Sequence, residues 1–176
     1  LLNAYINPDH ELAVKGAVAR VDADWPVTCS HAVSREFREY ERASTAVLSG
    51  FVQPVVKGYL GRFARSLADR GFAGRFSVMQ SNGGRMLAQA MGEQPISALL
   101  SGPAAGVVGA LKAAERTGLS DIITLDMGGT SADVSLVEGG RPALASQMAI
   151  DGLPIRMPVV DIATVGTGGG SIAWID

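Results

Sequence analysis

Residues 122–140, IITLDMGGTSADVSLVEGG, constrain this chain more than any other stretch. Two apolar runs flank a glycine turn, which predicts paired β-strands over 122–126 and 132–138. A tight hairpin turn needs only residues that tolerate positive φ. This one carries more: Asp126 closes the first run, Gly128 and Gly129 follow, Thr130 and Ser131 add hydroxyls, and Asp133 opens the second run. Glycines expose backbone N–H groups with no Cβ in the way, and successive bare amides make an anion-binding nest. Carboxylates beside a phosphate hold its Mg²⁺, directly or through water, or orient an attacking water. Two readings stay open on these residues: a plain hairpin, and a hairpin that grips a phosphate. In the second, Asp126 and Asp133 are the candidate catalytic residues and Asp126 the candidate metal ligand. The spacing GxxxxGK[ST] is absent and a strand follows, so this is not a Walker A loop.

Three further stretches bear on the choice. In LLSGPAAGVVGALKAA (99–114), Gly102, Gly106 and Gly109 form a small-residue stripe on a predicted helix, which Pro103 starts and Gly118 stops. Such a stripe lets a helix lie close to a sheet, another helix or a ligand, and packing alone is the simpler account. VGTGGGSIA (165–173) has four glycines within 166–171, plus Thr167 and Ser171. Gly168 and Gly169 are candidate cofactor-binding positions beside Gly128, Gly129, Thr130 and Ser131. A dinucleotide fingerprint would need a following helix, whereas 172–176 reads as strand, so a Rossmann site is rejected. MQSNGG (79–84) ends a strand on amides and a hydroxyl, and an Asn-Gly turn accounts for it.

Elsewhere the pattern predicts a short helix within 1–20, a strand at 27–33 (VTCSHAV), and a helix from Ser34, its cap, through REFREYERAS. Helical spacing continues past Pro54, at a first turn or a kink, to Gly71. A strand at 75–80, a short helix at 85–93, a strand at 96–101, a strand at 141–150 after Gly139–Gly140, a loop at 151–157 and a strand from 158 complete the reading. Helices come first, then alternate with strands, then strands dominate. This order predicts an α/β protein with a mixed sheet, hairpin-connected strands and packed helices, not a purely parallel doubly wound sheet.

Composition narrows function by exclusion. A net charge of −2 argues against a nucleic-acid or acidic-membrane partner. Gln94–Leu111 is uncharged, but its prolines and glycines and weak apolarity read as a buried helix, not a membrane span. Cys29 is the single cysteine, so no internal disulfide forms, which fits a cytoplasmic protein. With His31 two residues away on a predicted strand, Cys29 reads as a half-buried strand thiol, not a nucleophile. Twenty-two glycines in 176 residues exceed the usual ~7% and call for backbone reasons such as turns and ligand loops. Leu1 in place of Met, and a stop at AWID, predict a piece of a longer polypeptide.

The run GPAAGVVGALKAA followed by IITLDMGGTSADVSLVEGG resembles the actin-like ATPase superfamily of actin, sugar kinases and chaperone ATPases. That resemblance implies a ribonuclease-H-like lobe with ATP held between two such lobes. A closer resemblance is to the A subunit of the hydantoinase/5-oxoprolinase family. EFREYERASTAVLSGFVQPVVKGYL, VMQSNGG, LLSGPAAGVVGA, LDMGGTSADVSLV and VVDIATVGTGGGSIAWID match its segments in order. It implies a partial A-type domain over 26–176, after the tail of a preceding domain at 1–25. It also implies ATP and Mg²⁺ as cofactors, a small cyclic amide as substrate, and a B-type subunit or domain as partner. Asp126, Gly128, Gly129, Thr130 and Ser131 would face the phosphates, with Asp133 nearby. The implied reaction is lactam opening driven by phosphorylation of the carbonyl oxygen. An acetone-carboxylase-type subunit and a non-catalytic nucleotide-binding module are the alternatives. The family commonly has Thr where Ala132 stands and His where Ala163 stands, so Ala163 would remove a ligand or substrate contact. The family's first phosphate loop is absent from this chain.

Overall fold

The computed structural model describes residues 1–172 and 174. In chain order the elements are α1 (Asp9–Val21), α2 (Ser30–Val33), α3 (Glu39–Asp69), β1 (Ser77–Met79), β2 (Arg85–Leu87), α4 (Ala88–Glu93), a 3₁₀ turn (Pro95–Ala98), α5 (Ser101–Glu115), β3 (Ile122–Met127), β4 (Ala132–Glu138), β5 (Arg141–Pro142), β6 (Leu144–Ala145), β7 (Met148–Ile150), β8 (Leu153–Ile155), β9 (Val159–Val160) and β10 (Ile162–Val165). They form two compact units. The first holds Leu1–Val78, Arg85–Leu99 and Ser146–Met157; the second holds Met79–Gly84, Leu100–Ala145 and the chain from Pro158 on.

The first unit is organised around α3. Its buried residues are mostly polar: Arg42, Thr45, Ser49 and Gln53, with Leu60 near its C-terminal end. Burying polar groups is costly unless they are bonded, and here most are. Arg42 donates to Ser30 Oγ, the Glu36 carbonyl and the Leu1 carbonyl, and pairs with Glu39. Thr45 Oγ1 donates to the Glu41 carbonyl and accepts from the Arg156 amide. Gln53 accepts from Thr28 and donates to the Glu93 carbonyl. These ties brace the helix on the N-terminal side of Pro54, and the helix runs unbroken through it. The opposite face of α3 is apolar and exposed: Val47, Phe51, Val55, Tyr59 and Phe63 recur every fourth residue.

The second unit is a sheet with one helix on it. Strands run β10-β4-β3, with β5 also on β4, all antiparallel. The core joins Ala104, Val107 and Leu111 of α5 to Val137 and Val160, with Ile122 and Ile162 packed against it. Strand alternation explains the choice: Ile122, Val137 and Ile162 lie on the α5 face, while Ile123, Leu125 and Leu136 point the other way and stay exposed. Beyond the end of α5 the chain reverses at Gly118, φ 77°, with the Leu119 amide reaching back to the Ala114 carbonyl. The 79–84 turn joins this unit through the Val160 amide, which donates to the Ser81 carbonyl.

Several expectations need correction. VTCSHAV is not a strand: residues 30–33 form α2, because Glu11 captures the Ser30 hydroxyl and the His31 amide. Ser34 ends α2 and caps nothing; α3 begins at Glu39, so the helix starts later than the apolar pattern suggests. Residues 85–93 split into β2 and α4, and Pro95–Ala98 coils as a 3₁₀ turn where a strand was expected. The strand expected over 141–150 breaks into β5, β6 and β7, which pair with three different partners. The 151–157 loop contains β8, joined to β7 by Asp151 and Gly152 at φ 49° and 78°. That Asp-Gly between apolar runs is a recognised hairpin signal. The strand expected at 172–176 is not formed at Ile172, and residues 173, 175 and 176 lie outside the described residues.

Candidate functional site

The β3–β4 hairpin forms as the sequence predicts, with Asp126 directly opposite Asp133. On the other side of β4, Thr164 of β10 is the cross-strand partner of Asp133. The three residues therefore form one rung on the α5 face of the sheet. Like charges placed directly opposite on neighbouring strands destabilise a sheet. Asp126 has no hydrogen bond or ion pair among the described residues, and Asp133 accepts one, from Thr164 Oγ1 at 2.7 Å. Both aspartates line a cavity of about 380 Å³, with Pro103, Gly106, Ser135 and Ile162 among its walls.

Of the three stripe glycines on α5, only Gly106 meets anything. A Cβ there would stand 3.7 Å from Asp126 Oδ2, while at Gly102 and Gly109 it would meet nothing within 4 Å. Packing thus does not explain the stripe as a whole. At Gly106 the helix comes nearest the carboxylate, at an ordinary van der Waals separation for a side-chain carbon.

The turn itself is open to solvent at Gly128, Gly129 and Thr130 and outside the cavity lining. The Gly128 amide closes the turn on the Ser131 carbonyl at 2.9 Å. Among the described residues, the amides of Gly129 and Thr130 and the hydroxyls of Thr130 and Ser131 have no protein partner. Those four donors are available to an anion. Gly168 and Gly169 are engaged within the protein. The Gly169 amide donates to the Gly128 carbonyl at 2.9 Å, and the Gly168 amide to Ser171 Oγ at 3.1 Å. A Cβ at Gly168 would stand 2.5 Å from the Gly129 carbonyl carbon. The second glycine loop lies directly against the first and braces it, with its own two amides already engaged.

Ala132 and Ala163 both sit off the cavity side. Ala132 pairs with Met127 and Val165, and Ala163 with Val134, on the sheet face opposite the aspartates. A side chain at 163 would not reach the Asp126–Asp133 rung, so the expected loss of a ligand at Ala163 does not concern this cavity.

A second acidic cluster, not foreseen from the sequence, lies in the first unit. Glu11, Cys29 and His31 bring their donor atoms within 4.8 Å of one another. Most of the carboxylate's acceptor sites are already taken. Ser30 Oγ donates to Oε1 at 2.6 Å, the His31 amide to Oε2 at 3.1 Å, and His31 Nδ1 pairs with Oε2 at 2.7 Å. Burial alone would raise the Glu11 pKa, but the bonds from Ser30, the His31 amide and ring, and the Leu1 amine bring it down to about 2. Burial pushes the Cys29 thiol up, which favours the neutral form over a nucleophilic thiolate. Cys29 is buried and precedes a helix; it does not sit on a strand. This cluster ties α1, α2 and α3 together. Only long-range folding brings Glu11 to residues 29–31, so no local pattern announces it.

Together the hairpin, its bracing loop and the overlying helix define an α/β protein with a ribonuclease-H-like, ATPase-like lobe. Residues 42–176 match the Hydantoinase/oxoprolinase family, and the chain belongs to it. It is 35% identical over 170 residues to the caprolactamase subunit alpha of Pseudomonas jessenii, covering 97% of this chain and 24% of that one. It is 35% identical to the 5-oxoprolinase of Saccharomyces cerevisiae, covering 98% of this chain and 13% of the relative. The crystal structure of the ATP-dependent caprolactamase from Pseudomonas jessenii superposes with a TM-score of 0.80 at 36% identity, over 98% of this chain and 25% of that one. The nucleotide-free structure of acetone carboxylase gives 0.79 at 28% identity, over 96% and 24%. The chain thus spans about a quarter or less of the length of these relatives. No helix among the described residues is long and apolar enough to cross a membrane.

Proposed function

We propose that this chain supplies one phosphate-binding jaw of an ATP-dependent enzyme that opens a cyclic amide. The observation that carries the reading is the unpartnered Asp126, set on a cavity wall beside a turn with four free donors. Two carboxylates on one rung, one of them unpaired, suit a divalent cation, and bare amides with two hydroxyls suit phosphate oxygens. The residues thus fit Mg²⁺ and the polyphosphate of ATP. Bound there, Mg·ATP would supply a transferable phosphoryl group that activates the amide carbonyl. Asp126 would hold the cation. The Gly129 and Thr130 amides and the Thr130 and Ser131 hydroxyls would orient the phosphate oxygens. Asp133 would hold the same cation through a water, or accept that water's proton. Gly168 and Gly169 would act on the cofactor only through the turn they brace.

The relatives named as subunits support an assembly with a second, B-type subunit or domain that completes the hydrolysis. A carboxylase of the acetone carboxylase type is the second reading, favoured by the superposition at a TM-score of 0.79. The test is ATP consumption by the intact protein with its associated subunit. Dependence on a hydantoin, 5-oxoproline or another lactam supports amide opening. Dependence on a ketone plus bicarbonate supports the carboxylase. ATP turnover indifferent to both supports a nucleotide-binding module. Asp126→Ala with unchanged turnover would remove the proposed site altogether.

A further inference from the structure

We propose that Thr164 is a positioning residue for Asp133, an inference that rests on the Mg·ATP reading of this cavity. The register places Thr164, Asp133 and Asp126 on one rung across three strands. Two carboxylates on neighbouring strands repel, and without a further contact Asp133 would be free to swing between rotamers. Thr164 Oγ1 donates to Asp133 Oδ1 at 2.7 Å from the strand on the far side. That bond neutralises nothing. It selects one carboxylate orientation and occupies one oxygen, which leaves the other for a cation, a bound water or a proton at the cavity. Asp126 has no such partner among the described residues, so the two acids are not equivalent: one is held and one is free. A hydroxyl that orients a metal-site carboxylate is worth about 10–100-fold in metal affinity or activity.

Valine matches threonine in shape and β-branching and suits a strand, so Thr164→Val removes the donor and little else. Thr164→Ser keeps the hydroxyl. Thr164→Ala is the second deletion variant should valine not fold. The intact protein, as purified, is titrated with Mn²⁺ in the presence of a non-hydrolysable ATP analogue and followed by electron paramagnetic resonance. ATP turnover is measured in parallel. Thr164→Val is expected to weaken Mn²⁺ binding about tenfold and to lower kcat about tenfold, with KM for ATP within about twofold. Thr164→Ser is expected to restore both. Wild-type Mn²⁺ affinity and turnover in Thr164→Val and Thr164→Ala, with Asp133→Asn impaired in both, would overturn the positioning role and leave the site reading intact. A lowered melting temperature with unchanged Mn²⁺ affinity would reduce Thr164 to a structural residue and also overturn it. If Asp126→Asn and Asp133→Asn both match wild type, the cavity reading itself fails.

Discussion

Glu11 and Asp126 are carboxylates in the same chain with opposite surroundings. Glu11 is 7% exposed and accepts from Ser30, the His31 amide and the His31 ring. A carboxylate offers about four acceptor sites, and these bonds fill most of them. Asp126 is exposed, faces a second carboxylate across the hairpin, and has no partner among the described residues. Glu11 does its work when the chain folds, because its donors hold three helices together. Asp126 contributes nothing comparable to folding and sits where repulsion from Asp133 costs stability. A site that costs the fold something and remains open is where the proposed cation and phosphate would sit.

The broadest way to break this contrast is to exchange the two losses. Asp126→Ala should lower ATP turnover of the intact protein at least about a hundredfold while leaving its urea midpoint almost unchanged. Glu11→Ala strands the Ser30 hydroxyl and the His31 amide and ring without their acceptor, and should cost about 3–5 kcal/mol in urea unfolding. The Glu11→Ala protein that remains folded should keep its turnover per molecule. If Asp126→Ala destabilised and Glu11→Ala inactivated, the assignment of the two acids would be reversed.

Acid sharpens the same contrast. The folded pKa of Glu11 is about 2, below the ordinary value of 4.5, so the unfolded chain binds the proton more readily. Its stabilisation is therefore fully present above about pH 4.5 and is lost as pH falls toward 2. The size is on the order of 3 kcal/mol. Urea titrations between pH 6 and pH 2.5 should show this slope in wild type, and Glu11→Gln should flatten it.

Smaller effects come from the bracing loop and the surface. Gly168→Ala places a methyl group 2.5 Å from the Gly129 backbone, so one loop must shift. About 1–3 kcal/mol of stability should be lost, with a fall in ATP turnover because the turn moves. Wild-type values of both would mean that the two loops do not brace each other. Lys112→Ala removes only an exposed i,i+3 pair with Glu115 and should change stability by less than about 0.5 kcal/mol.

The hairpin at 122–138 was legible because both of its strands and its turn are local: apolar runs, glycines and paired register follow from neighbouring residues. For the same reason the pairing of Asp126 with Asp133 across a turn that carries the donors follows from local sequence. The 151–152 hairpin was equally local, and its Asp-Gly signal was there to be read. The short helix at 30–33 was not legible, since its strand-like alternation is overridden by a carboxylate nineteen residues upstream. The role of Thr164 was also hidden, because nothing in DIATVG indicates which residue of another strand it will face.

By itself, the order of residues determined which stretches would turn, which would pair, and which chemical groups the glycine turn would carry, because these depend on backbone freedom and side-chain spacing within a few residues. Tertiary structure alone decided which acid would be sealed and which left open. That outcome depends on hydrogen-bond donors arriving from distant segments: they reach Glu11, one reaches Asp133, and among the described residues none reaches Asp126.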